Sequence, residues 1–200
     1  MTQTNSKSTL SFAPQISIPA TYMRGGTSKG TFFKLSDLPE RCQVAGESRD
    51  KFLLRVIGSP DPYGKQIDGL GNGSSSTSKT VILSTSDRAD HDVNYLFGQV
   101  NIAKPMIDWA GNCGNLTAAV GACAINMGII DAEKIASSID ENADSGICEV
   151  HIWQENIDKT IIAHVPVYKD ANNKVQVQET GDFELDGVTF PAAEVKIEFI

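Results

Sequence analysis

The stretch Asp108-Trp109-Ala110-Gly111-Asn112-Cys113-Gly114-Asn115-Leu116-Thr117-Ala118-Ala119-Val120-Gly121-Ala122-Cys123-Ala124-Ile125-Asn126-Met127-Gly128 decides the fold. Its first part is a polar, glycine-rich turn with one cysteine. Its second part, 116–127, predicts a helix in which Thr117 and Asn126 are the distinctly polar residues and make no polar face. A helix that is apolar all round is a buried helix. About three turns is too short to cross a bilayer. Gly128 is a suitable C-terminal stop. The small side chains let other backbone approach from every side, which implies a central helix wrapped by sheet. The turn before it delivers free N–H groups and the positive dipole end to one place. A carboxylate is stabilised there, and so is the thiolate of a cysteine. Asn112, Cys113 and Asn115 therefore read either as an anion pocket with a reactive thiol, or as a capped helix with an inert buried cysteine.

The rest of the chain bounds these readings. Two hundred residues, 40% of them hydrophobic, can bury a real core in one domain or two small lobes. A net charge of -8 without a basic run argues against a nucleic-acid surface. Cys42, Cys113, Cys123 and Cys148 show no zinc spacing, and His91, His151 and His164 are scattered. No metal, no disulfide and a cytoplasmic location are expected. About ten residues of helix separate Cys113 from Cys123 by ~15 Å, beyond disulfide reach. Residues 1–14 are polar, lack the regions of a signal peptide and read as a flexible leader. No transmembrane span is seen.

Alternation predicts strands at 15–22, with Pro19 favouring an edge, and at 31–34, joined as a hairpin by the turn at 23–30. An amphipathic helix is expected at 49–57, then a long loop to Ser78. A structureless loop of that length is functional or disordered. Gly73 to Thr80 superficially matches a phosphate-binding loop. Ser78 replaces the second glycine, however, and strand residues follow where a helix is required. Further strands are expected at 79–84, 95–102, 147–153, 160–167, 174–178 and 195–200. A short helix capped by Asp131 and a hairpin turn at Asp186-Gly187 complete the reading. The order is mixed, with hairpins and few helices, giving an α+β fold with a mixed sheet rolled around the helix at 116–127. The chain stops in a strand with no following turn, so part of a longer protein is expected. Taken alone, Lys79 reads as a solvated strand-end lysine.

Four segments stand in order. They are Met23-Arg24-Gly25-Gly26-Thr27-Ser28-Lys29-Gly30, the run from Gly58 to Gly69, Ser75-Ser76-Thr77-Ser78-Lys79, and Gly111-Asn112-Cys113-Gly114-Asn115. Together they resemble the PrpF family of 2-methylaconitate isomerases, within the diaminopimelate-epimerase-like fold. The resemblance covers nearly all of 15–200 and implies the N-terminal one of two similar lobes, with the second lobe absent from this chain. It implies a cofactor-free isomerase of unsaturated tricarboxylates that converts 2-methyl-trans-aconitate into 2-methyl-cis-aconitate in propionate breakdown by the methylcitrate cycle. Methylitaconate isomerase, 4-oxalomesaconate tautomerase and a carboxylate-binding lobe without chemistry of its own remain alternatives. Carried over by motif, Lys79 and Cys113 are the catalytic pair. Ser28, Gly114 and Asn115 would hold carboxylates, with Thr27 and Asn112 as further candidates. The partners implied are the tricarboxylate, the second lobe and, functionally, a methylcitrate dehydratase, with room for a homo-oligomer.

Overall fold

The computed structural model describes residues 15–200; the leader expected over 1–14 lies outside the described residues. Nine strands form one mixed sheet in the order β1 (Thr21–Gly25), β2 (Ser28–Lys34), β3 (Lys79–Thr85), β4 (Val93–Val100), β6 (Ser145–Gln154), β7 (Lys159–Lys169), β8 (Val175–Val177). The short β5 (Ile107–Asp108) adds to β4, and β9 (Lys196–Phe199) adds to β7 beside β8. The β2–β3 and β4–β6 pairs are parallel and the others antiparallel.

Each parallel pair requires a crossover. The first, from β2 to β3, carries α1 (Glu40–Gln43) and α2 (Glu47–Ile57). The second, from β4 to β6, carries β5, α3 (Gly114–Thr117), α4 (Val120–Asn126) and α5 (Ala132–Ser137). The two crossovers lie on opposite faces. Leu53, Leu54 and Ile57 of α2 pack with Phe33, Ile82 and Val100. Leu116 and residues 119–125 pack with Phe32, Val81, Leu83, Tyr95 and Phe97, the alternate residues of the same strands, and with β6 and β7. The period-two alternation thus sorts the strands into an outer face under α2 and an inner face around α3 and α4.

The expected central helix is present but divided. Its first turn begins at Gly114 rather than Leu116. At the join the Ala118 and Ala119 N–H groups bond to the carbonyls three residues back, Asn115 and Leu116. Such bonds tighten a helix locally. The Thr117 hydroxyl also bonds to the Cys113 carbonyl four residues back at 2.9 Å, a contact that bends helices. Val120 to Ile125 are all buried, as the missing polar face requires, while Asn126 is exposed. At Gly121 an added Cβ would lie 2.7 Å from Val165 Cγ2, so β7 packs directly on the helix backbone.

Other boundaries shift for local reasons. The strand expected at 15–22 is found at Thr21–Gly25, and 15–20 has no regular structure. The turn sets that register: Gly25 pairs with Ser28, leaving Gly26 and Thr27 as a two-residue hairpin loop with Gly26 at φ +50°. A positive φ at the first central position suits glycine and matches the strand twist. Pro19, without an N–H, lies outside the pairing. Around Asp186-Gly187 there is a turn without flanking strands, joined through the single bridge Phe183–Ala192. Among the described residues, no helix is long and apolar enough to cross a membrane.

Candidate functional site

The two expected catalytic residues arrive by different crossovers at the same face. Lys79 opens β3 at the end of the outer crossover, and alternation with Val81 and Leu83 turns it to the inner face. It is not a solvated lysine, with only 7% of its surface exposed. Its Nζ donates to Gln99 Oε1 at 2.5 Å and lies 5.2 Å from the centre of the Phe97 ring. Among the described residues Lys79 makes no ion pair.

Cys113 is the N-cap of α3. Its Sγ accepts from the Leu116 N–H at 3.4 Å and lies 3.7 Å from Ser28 Oγ, to which it donates. Ser28 is buried, and it shares the inner face of β2 with Gly30 and Phe32. Gly30 is the link between the two catalytic candidates. A Cβ there would lie 2.9 Å from Leu116 Cδ2 and 3.3 Å from Lys79 Cβ, so the start of β3 and the first turn of α3 meet over this glycine.

Around that point the structure gathers most of the other expected site residues. Asn115 Nδ2 donates to Thr27 Oγ1 at 3.1 Å, which ties the helix start to the hairpin turn. The first N–H groups of a helix have no acceptor within it. Leu116 gives its N–H to Cys113, and the Gly114 and Asn115 groups lie in an exposed turn. Asn112 is drawn away from this group. Its Oδ1 accepts from Thr117 Oγ1 at 3.4 Å and from Gln154 Nε2 at 3.5 Å, inside the fold. A groove of about 630 Å³ lies beside the helix start, lined by Gly26, Gly114, Asn115, Leu185, Val188 and Phe190 among others. Lys79 and Cys113 are not among its lining residues.

Several residues that hold this arrangement were not foreseen. Gln99 pairs directly with Lys79 across β3 and β4 and fixes its amine. Strand alternation carries a signal for it, because Tyr95, Phe97 and Gln99 share one face and a glutamine ends an otherwise aromatic inner row. Asn156 uses its whole amide: it accepts from the Phe97 N–H and from Gln154, and donates to the Phe97 and Trp109 carbonyls. It thereby staples β4 to the polypeptide leading into the cysteine turn. Gln66, 1% exposed, organises the long loop, donating to Ser59 Oγ and accepting from the Gly73 N–H and from Ser78 Oγ. Nothing in the sequence around it marks Gln66 as buried.

The two cysteines of the central helix differ in kind. Cys123 is fully buried, and that apolar burial pushes its thiol up to about 12, which leaves it inert. Cys113 is partly exposed, with its sulfur hydrogen-bonded. All four cysteines are free. Burial also pushes the Tyr95 phenol, beside Thr117, well above its usual range. Among the described residues no three His, Cys, Asp or Glu side chains are grouped to hold a metal ion.

The family model of the PrpF protein matches residues 15–200. This chain belongs to the PrpF family. It is 68% identical over 189 residues to the 2-methyl-aconitate isomerase of Shewanella oneidensis, covering 94% of this chain and 45% of that protein. It is 64% identical over 191 residues to the 2-methyl-aconitate isomerase of Cupriavidus necator, covering 96% and 45%. The chain thus spans about half the length of these relatives. Among solved structures, a methylitaconate-delta-isomerase superposes with a TM-score of 0.71 at 38% identity, covering 88% of this chain and 40% of that one. The PrpF-like lobe, with its mixed sheet around a central helix, is therefore the fold of this chain.

Proposed function

We propose that this chain is the N-terminal half of a two-lobed, cofactor-independent isomerase that converts 2-methyl-trans-aconitate into 2-methyl-cis-aconitate. The observation that carries this reading is that Lys79 and Leu116 of α3 meet over Gly30, while Cys113, the N-cap of the same helix turn, lies against Ser28. The substrate class follows from the same place. A tricarboxylate needs anion-binding groups without a neutralising carboxylate, and the Gly114 and Asn115 N–H groups with the Thr27 and Ser28 hydroxyls provide them. The identity of 68% to a protein named 2-methyl-aconitate isomerase favours that substrate over methylitaconate, named for the solved structure at 38%.

The chemistry is an allylic proton transfer. Removing a proton from the carbon next to the alkene leaves an electron pair delocalised over the alkene and a carboxylate. Double-bond character at the old alkene falls, the geometry changes, and a proton returns to carbon. Proton and electron counts close without a redox partner. Lys79 carries the essential proton transfer, with Cys113 as the second donor or a positioning group. The N–H groups at the helix start hold a carboxylate that gains charge in the intermediate. One lobe leaves the other side of the substrate open, so the second lobe completes the site. The 200-residue chain alone is accordingly expected to be inactive. We place the enzyme in the cytoplasm, where the methylcitrate route would pair it functionally with a methylcitrate dehydratase.

The test is proton exchange. The full-length gene product, given 2-methyl-trans-aconitate in D₂O, should form the cis isomer and incorporate deuterium at the allylic carbon. Methylitaconate and 4-oxalomesaconate serve as competitors. Absence of both conversion and exchange with 2-methyl-trans-aconitate would overturn the reading, as would turnover by the isolated chain equal to that of the full-length protein for its two-lobe part.

A further inference from the structure

Gln99 reaches the site through Lys79 and the loop that precedes it. Its Nε2 donates to the Ser75 carbonyl at 3.1 Å and to the Ser78 carbonyl at 3.0 Å. Both amide protons are thereby used on acceptors. A carbonyl cannot donate, so the amide has one workable orientation, with Oε1 toward the Lys79 amine. That oxygen accepts from Lys79 Nζ at 2.5 Å. The Phe97 face supplies the other side of the cage.

We infer that Gln99 is a positioning residue that aims the Lys79 amine into the site and, by being an amide rather than an acid, keeps that amine free of an ion pair. This rests on the assignment of Lys79 to proton transfer. Position 99 is where an acid would do most harm, since glutamate has the same shape and would place a full negative charge on the amine. An opposite charge at that distance favours the protonated amine strongly. It would also cancel the cation that a polyanionic substrate meets.

The groups facing Lys79 from the packed elements leave Gln99 in control. Gly30 of β2 lies against the Lys79 Cβ, Phe97 and Gln99 come from β4, and the Ser75 and Ser78 carbonyls stand behind Gln99, none of them charged. From the first turn of α3 comes Leu116, which meets the same glycine as the Lys79 Cβ, and the Cys113 sulfur at the start of that turn is engaged by Ser28 and Leu116. From β5 comes Asp108, which pairs with Gln99 in the register and so stands one strand beyond it from Lys79. Its Oδ1 accepts from the Ala110 N–H at 2.9 Å.

The experiment uses the full-length gene product with two variants, Gln99→Glu and Gln99→Met. Trace acetic anhydride labels lysines at a series of pH values. Mass spectrometry reads Lys79 against the exposed Lys51 and Lys159 as internal standards. Gln99→Glu should lower Lys79 labelling about tenfold near neutral pH, corresponding to about one pH unit. It should move the Lys79-dependent limb of the isomerase kcat/KM profile upward by the same amount. Gln99→Met, which removes the acceptor but keeps the length, should raise Lys79 labelling severalfold. Opposite signs in the two variants are an outcome that general loosening of the strand does not produce. Unchanged labelling in both folded variants overturns the inference, and so does a failure of both to fold, which would make Gln99 a structural residue. If the wild-type protein shows no isomerase activity yet the labelling responds as stated, the functional assignment fails while the role of Gln99 stands.

Discussion

The two crossovers of the sheet do the same topological job by opposite means. Helix α2, on the outer face, is amphipathic. It buries Leu53, Leu54 and Ile57 and leaves Lys51 and Glu47 paired in solvent. The pieces α3 and α4, on the inner face, have no solvent side except at their ends. A helix of the first kind can spread polar groups along its length. In the second kind they are confined to the termini, so Cys113, Gly114 and Asn115 crowd into one turn. The outer crossover contributes to the site differently, through the loop it leaves behind and the lysine at that loop's end. The candidate site residues therefore gather at the ends of crossover elements: Lys79 where the outer crossover enters β3, and Cys113 where α3 begins.

This contrast can be tested most strongly at Lys79. If the end of the outer crossover carries the proton, Lys79→Ala in the full-length gene product should lower kcat/KM by ~10²–10⁴ while circular dichroism stays that of the folded protein. Near-wild-type turnover would leave the inner crossover as the sole chemical element.

Next in size is packing. Gly121→Val forces methyl groups against Val165 and Ala163 and should cost about 1–3 kcal/mol or more in urea unfolding. Lys51→Ala on α2 loses only an exposed i,i+4 pair and should stay within about 0.5 kcal/mol. Equal costs would mean that the two helices are not buried differently.

A smaller effect separates the two duties of Cys113. Cys113→Ala loses the acceptor for the Leu116 N–H and should cost about 0.5–2 kcal/mol of stability. Cys113→Ser keeps an acceptor and should cost less in thermal melts. If the thiol only positions the substrate, both should retain more activity than Lys79→Ala, whereas a proton-donating thiol makes Cys113→Ala lose activity of the same order.

The smallest effect is expected far from the site, on the outer face of β6, β7 and β9. There His151 and His164 bracket Glu149, and Lys196 and His164 hold Glu198. The hydrogen bond from His151 puts Glu149 below the usual carboxylate range, and that from Lys196 does the same for Glu198. A carboxylate depressed in the folded state gives stability that is present above its unfolded pKa and lost as pH falls through the folded one. The Glu198→Gln protein should match wild type in acid below that window and be slightly less stable at neutral pH. A melting temperature that rises at neutral pH would contradict the assignment.

The inner crossover was largely legible in the sequence, because a run of small apolar residues without a polar face permits few environments. Its division at Ala118 and Ala119 was not, since alanine favours a continuous helix and the tightening depends on Thr117 bonding backward. The turn chemistry of Gly25 to Ser28 was visible, but not that pairing would begin at Thr21 and leave the Pro19 segment unpaired. The motif singles out Lys79, while residue type alone reads it as solvated, because a lysine at a strand end is normally solvated. Only the partner strand supplies the phenylalanine ring and the amide that enclose it. Asn112, singled out with its neighbours, proves to bond inward to Thr117 and Gln154, a direction that sequence spacing does not encode.

The Gly/Ser-rich loop from Gly58 to Ser78 has the composition of a flexible tether, yet one carboxamide, that of Gln66, gathers it at Ser59, Gly73 and Ser78. That knot is one tether among several: Asp61 accepts from the Tyr63, Lys65 and Gln66 N–H groups, Leu70 and Gly71 bond back to Val56 and Ile57, and Gln99 holds the Ser75 and Ser78 carbonyls. A stretch pinned at many independent points opens piecewise rather than in one step. A protease would then meet its exposed tip at Tyr63 before the backbone on which Lys79 depends is released.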